Sequence, residues 1–131
     1  MIRDRVKFNE LIGKTFIKIE GDVQDNKLKF YTNDGYVYSM YHHQECCENV
    51  YIEDISGDLQ SFVGKKIRSA EEVYKDDPEA RESGTWTFYR LMTEDWKDDL
   101  VVIRWYGSSN GYYSESASIY KEKVCHLPLT T

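Results

Sequence analysis

The segment YHHQECCENVYIED, Tyr41 to Asp54, sets two histidines, two cysteines and two glutamates within seven residues. Imidazole and thiolate are the preferred ligands of zinc, so His42, His43, Cys46 and Cys47 are candidate metal ligands, with Cys125 and His126 of the tail able to complete a set. Structural zinc sites space their cysteines by two to four residues so that the sulfurs converge, and the adjacent pair Cys46-Cys47 breaks that rule. On a strand, neighbouring residues point to opposite faces, which would leave one thiol, one imidazole and one carboxylate on each side. A packed thiol, an exposed imidazole and a kink at Gln44 to Glu48 account for the same residues without a metal. The segment would also suit a cysteine nucleophile activated by His42 or His43, but Glu45 and Glu48 flank the thiols and disfavour the thiolate. Glu48, Glu53, Asp54 and Asp58 could act as general acids or bases, or form a solvated acidic face that meets a basic partner together with Glu45.

The second stretch with chemical content is RWYGSSNGYYSE, Arg104 to Glu115. Gly107 and Gly111 bracket Ser108, Ser109 and Asn110, a composition that can offer backbone N–H groups to an anion and equally that of a hairpin loop. Combined with the first stretch it suggests a ligand pocket: Tyr41, His42, His43, Trp105, Tyr106, Asn110, Tyr112 and Tyr113 would stack a base while Arg104 holds phosphate. No P-loop, G-x-G-x-x-G, G-x-S-x-G or H-E-x-x-H pattern occurs, which removes the usual support for most common enzyme classes.

The elements that would position these residues are strands. A helical turn over Lys7 to Ile12 ends at Gly13, and TFIKIEG, KLKFYT, YVYSMYHH and NVYIEDI read as strands, the middle two joined by the turn signal Asn33-Asp34-Gly35. GDLQSFVG is a second short helical segment closed by Gly64. KKIRSAEEVY, TWTFYRLMT, DLVVIRWYG and YYSESASIY follow as strands. The charged loop KDDPEARESG, Lys75 to Gly84, is expected to be the most dispensable segment, EDWKD to be a turn, and the tail KEKVCHLPLTT has no assignment.

The two halves match. ELIGKTFIKIEG aligns with SFVGKKIRSAEE, placing Gly13 on Gly64; Phe30-Tyr31 falls on Phe88-Tyr89 and Ile55 on Ile119. The expected fold is therefore mainly β, an α+β arrangement with minor helix. It is a duplicated antiparallel β-meander with pseudo-repeats about 10–55 and 61–119, each led by a short helix and followed by about four strands. All of 1–131 forms a single domain, a size that supports one core. The symmetry would bring YHHQECCENVY and WYGSSNGYYSE face to face.

Composition narrows the setting. No apolar run approaches a membrane span, and MIRDRVKFNEL lacks the apolar core of a secretory signal, which suggests a reducing cytoplasm with free thiols. A net charge of −6 disfavours direct nucleic-acid binding and suits a basic partner. Eleven tyrosines in 131 residues fit cross-strand ring pairs and equally fit binding contacts; an uncovered Tyr-rich sheet face would favour a homodimer.

The runs YHHQECCENVYIEDISGDL, TWTFYRL and VVIRWYGSSNGYYSES, spanning Leu11 to about Ile119, resemble an uncharacterised family of small proteins encoded mainly by bacteriophages and other mobile elements. The resemblance implies a setting, the host bacterial cytoplasm, and no residue roles. By association with small acidic phage proteins, the expected function is a binding protein that counteracts bacterial immunity. It would do so by sequestering a nucleotide second messenger or by blocking a host defence protein such as a CRISPR effector. A metal- or thiol-dependent enzyme acting on a nucleotide or phosphoester is the alternative, and a virion or replication accessory protein the third. No cofactor is expected for the binder; zinc is the metal the His/Cys cluster would take.

Overall fold

In a computed structural model, residues 3–95 and 100–124 are described. Among them nine strands form two antiparallel sheets. The first contains β1 (Arg3–Val6), β2 (Phe16–Glu20), β3 (Lys27–Thr32), β4 (Tyr36–Tyr41) and β9 (Ser118–Lys123), in the order β1-β9-β4-β3-β2. The second contains β5 (Asn49–Ser56), β6 (Ile67–Asp76), β7 (Ser83–Thr93) and β8 (Val101–Ser109), in the order β5-β8-β7-β6. No helix among the described residues is long and apolar enough to cross a membrane.

Period-2 alternation decides which residues meet. Leu28, Phe30, Met40 and Ile119 of the first sheet are buried in one cluster with Ile52, Leu91, Ile103 and Trp105 of the second. The opposite face of the first sheet explains part of the tyrosine content, since cations lie over its rings: Lys18 over Tyr31, Lys27 over Tyr41, and Arg3 over Tyr41 and Tyr120.

The expected helices are single 3₁₀ turns, η1 (Phe8–Leu11) and η2 (Leu59–Phe62), each burying two residues against the core. Gly13 and Gly64 follow them at φ +86° and +89°, a conformation glycine enters without the Cβ penalty. Both then bond across the sandwich: Gly13 N–H donates to the Ile67 carbonyl and Gly64 N–H to the Phe16 carbonyl, at 2.8 Å each. The two turns are thus clamped to each other's following strand.

The four-strand meander expected of each half is corrected by the topology. The sequences η1-β2-β3-β4 and η2-β6-β7-β8 run in the same order, but the strand after each crosses to the other sheet, so that β5 pairs with β8 and β9 with β4. β6 extends to Asp76, leaving only residues 77–82 as the charged loop. Asp77, the first residue of that loop, accepts a 2.6 Å hydrogen bond from the Tyr106 hydroxyl. The final strand starts at Ser118 and not at Tyr112. Most of the expected turn EDWKD and, beyond Val124, the tail with Cys125 and His126 lie outside the described residues.

One close approach fixes the β8–β9 connection. Gly107 is buried in β8, and a Cβ there would fall on the carbonyl of Glu115. Gly107→Ala is therefore expected to cost about 2–3 kcal/mol by overpacking and to displace residues 110–117. Urea unfolding, with proteolysis of that loop, measures both effects.

Candidate functional site

Three connections meet at one end of the sandwich: residues 42–48 between β4 and β5, 77–82 between β6 and β7, and 110–117 between β8 and β9. His42 touches the Ser116 carbonyl, and Cys47, Ala80 to Ser83, Tyr106 and Ser108 to Asn110 border a common open hollow of about 440 Å³. The two chemically rich stretches adjoin here as neighbouring strands of one sheet, with Asn49 opposite Ser108 and Val50 opposite Gly107.

The expected ligand box does not assemble. Trp105 is fully buried in the core, so it is no stacking platform. Arg104 and Tyr106, its chain neighbours, point to the outer face of the second sheet, as alternation requires. There Arg104 donates to Glu53 at 2.7 Å, Trp86 donates to the same carboxylate oxygen at 3.0 Å, and Tyr106 packs against Trp86 and Tyr51. The hydrogen bond to Asp77 and partial burial push the Tyr106 hydroxyl up to about 12. Tyr41 lies on the first sheet, its ring tilted against that of Tyr120 and its hydroxyl accepting from Arg3 at 2.5 Å. His43 and Asn110 are exposed, and Tyr113 is half-buried.

The expected acidic face is dispersed as well. Glu45 is exposed in the first loop, Glu53 and Asp54 sit at a β-bulge opposite Arg104, and Asp58 precedes η2 beside the hollow formed with Gly21 to Val23. Glu48 is the largest correction, because its side chain is completely buried.

Glu48 organises its own loop. One carboxylate oxygen accepts from the Cys46 N–H at 2.8 Å; the other accepts from the Glu45 N–H at 3.0 Å and from His42 Nε2 at 2.7 Å. His42 Nδ1 faces the Ser116 carbonyl at 3.2 Å. Both ring nitrogens face protein oxygens, so His42 is a strut between two loops. Gln44 closes the loop by donating to the Cys46 and Glu48 carbonyls. Burial by itself would raise the Glu48 carboxyl, but the His42 bond and the backbone N–H groups outweigh it and hold it at about 2, below the ordinary 4.5. Because the folded carboxyl is the stronger acid, its contribution to stability is present above about pH 4.5 and lost as pH falls towards 2. Urea midpoints measured over that range should fall steeply for the wild type and less steeply for Glu48→Gln.

The two thiols are free and exposed. A hydrogen bond donated to Cys46, then burial and the charges of Cys46 and Glu48, push the Cys47 thiol up, opposite to the lowering that an attacking thiolate needs. Among the described residues no group of three or more His, Cys, Asp or Glu side chains converges as metal ligands.

The third loop is held as firmly as the first. Ser109 Oγ donates to Glu115 at 2.5 Å and accepts from the Gly111 N–H at 2.9 Å; Thr85 donates to the other Glu115 oxygen at 2.7 Å; Asn110 Oδ1 accepts from the Tyr112 N–H at 3.0 Å. The product of this network is Tyr112, 90% exposed at the tip. Burial opposes ionisation of Glu115, but the Ser109, Thr85 and Ser83 hydroxyls reverse that and keep it below its usual value.

The model of a domain of unknown function, DUF7448, matches residues 9–119. The chain belongs to this family. No curated protein and no solved structure matches it. The span shared with the DUF7448 family takes in all three loops, η2 and all of η1 but Phe8. Within that span, reasoning from sequence placed Tyr112 in a pocket and missed Glu115, Ser109 and Gln44, the side chains that build the loops. Asn110-Gly111 was the available signal, as a turn dipeptide that presents the residue after it.

Proposed function

We propose that this chain is a non-catalytic binding protein that docks on a basic protein surface through the loop end, and that in a phage or mobile-element setting it blocks a host defence protein in the bacterial cytoplasm. The observation that carries this is the concentration of charge around a rigid aromatic. The three loops hold five carboxylates that are not buried, Glu45, Asp77, Glu79, Glu82 and Glu115, against one arginine, Arg81, a net of four of the chain's six negative charges with histidines counted neutral; the sixth carboxylate, Glu48, is buried on His42. An exposed tyrosine on a pre-ordered loop loses little entropy on binding, and a surrounding field of one sign steers a partner of the other.

Signal trapping is the weaker branch, since the buried Trp105 and the Glu53-bound Arg104 withdraw the stacking and phosphate-holding groups it requires. The enzyme alternative is weakened by the raised Cys47 thiol and by the commitment of His42 to Glu48 and Ser116. The fold itself fits a duplication in which each half lends its last strand to the other; the reciprocal clamps of Gly13 and Gly64 and the repeated order of turn and strands support that origin.

Mass measured under native and denaturing conditions, on protein purified from bacterial cells, tests the choice between branches. Protein blocking expects no small-molecule adduct; a stoichiometric nucleotide adduct, or bound zinc, overturns it in favour of trapping or of the His/Cys cluster.

A further inference from the structure

Four sheet edges were available for pairing, and the fold closes or shortens three of them. β5 is covered by the β2–β3 connection, with Gln24 N–H donating to the Ile52 carbonyl at 2.7 Å and Ile52 N–H to the Asp25 carbonyl at 2.8 Å. β2 is covered by η2 and its flanks: Gly64 N–H reaches the Phe16 carbonyl and Gln60 Nε2 the Ile19 carbonyl. β1 is four residues long, carries Arg3, Asp4 and Arg5, and is thus a blunted edge. β6 is held at its start, where Ile67 exchanges backbone hydrogen bonds with Gly13 and Lys14. From Glu71 to Asp76 it is exposed, with no backbone hydrogen bond outside its ladder to β7 among the described residues. Val73 and Tyr74, 43% and 56% exposed, lie in the middle of this bare stretch.

We propose that the β6 edge is the interface with a second copy of this chain, joining two four-stranded sheets into one continuous sheet about a two-fold axis at Val73. Backbone direction and charge select this register independently. Asp77 N–H donates to the Gly84 carbonyl at 2.9 Å, continuing the β6–β7 ladder. Alternation then turns the N–H and C=O groups of Val73 and Lys75 toward β7 and those of Glu72, Tyr74 and Asp76 outward. In an antiparallel pair centred on Val73, Glu72 of each copy faces Tyr74 of the other, and these outward-pointing residues exchange their N–H···O=C bonds. In the same register Glu71 faces Lys75 across the axis, twice, and Val73 faces its own copy. Moving the centre to Glu72 sets that carboxylate against itself, and moving it to Tyr74 sets Glu72 against Asp76. The segment EEVYK is therefore self-complementary in one register, and like charges directly opposite oppose the neighbouring ones. Trp86, Phe88 and Met92 of β7, half-buried on the face that bears Val73, extend the apolar part of the joint sheet.

The test uses the full chain in sedimentation velocity over a dilution series. The wild type is expected to reach twice its 15.5 kDa mass. Lys75→Glu places Glu opposite Glu71, Glu71→Lys places Lys opposite Lys75, and each is expected to weaken self-association roughly tenfold or more. Mixing the two variants should restore a dimer, since every cross-axis pair is then opposite in sign. Tyr74→Pro removes an outward N–H at an edge position that tolerates proline and should also give monomer, with circular dichroism confirming its fold. A monomeric wild type overturns the proposal, as does a dimer that all three variants leave intact. Variants that become monomeric but do not pair on mixing overturn the register. None of these outcomes depends on the loop-end reading.

Discussion

Trp105→Ala is expected to lower the unfolding free energy by about 3–5 kcal/mol, enough to leave a domain of this size barely folded. Among the described residues Trp105 is the largest fully buried side chain, at the centre of β8 and flanked across the ladders by Ile52 and Thr87. Removing it opens a cavity in the core between two packed sheets that relax only in part to fill it. Trp105→Phe should cost much less. The indole N–H has no hydrogen-bond partner among the described residues, so the smaller ring also removes a buried donor that gains nothing. Equilibrium urea unfolding of the two variants distinguishes this core role from a binding role, which would leave stability unchanged.

Tyr112→Ala should show the converse. The side chain is 90% exposed and its loop is held by Ser109, Asn110 and Glu115, so stability should move by no more than about 0.5 kcal/mol. Partner binding should weaken by about 2 kcal/mol or more, roughly thirtyfold, as expected for an aromatic anchor at the centre of an interface. Ser109→Ala should weaken it less, by loosening the loop while keeping the ring. Circular dichroism and a thermal scan establish the first part, and titration against the purified partner the second.

These two aromatics stand seven residues apart in one motif and were expected to serve one pocket. The alternation Val101, Ile103, Trp105, Gly107 against Val102, Arg104, Tyr106, Ser108 already separates Trp105 from Arg104 and Tyr106, and a strict period-2 reading would have sent it to the core. Eight of the nine strands were legible for that reason, as was the Asn33-Asp34-Gly35 hairpin; β1, whose Arg3, Asp4 and Arg5 carry no apolar alternation, was not. The exchange of β5 and β9 was not legible, because local patterning states which face a strand buries and not which neighbour it takes. Glu48 was invisible as a buried carboxylate for a similar reason. His42 and two N–H groups are near it in sequence, but its strut ends on the Ser116 carbonyl, 74 residues from His42. A carboxylate among charged neighbours reads as solvated until the partner that closes over it is known.

The proposed partner surface is the acidic loop end, with Tyr112 at its tip. It is tested most directly in bacterial strains each carrying one defence system, expressing the chain and plating a phage that the system restricts. In the strain whose system is the target, the wild type should raise plating by orders of magnitude. Tyr112→Ala combined with Glu79→Lys and Glu82→Lys, folded and expressed to the same level, should not. Full relief of restriction by that triple variant would contradict the account and move the binding surface away from the loops.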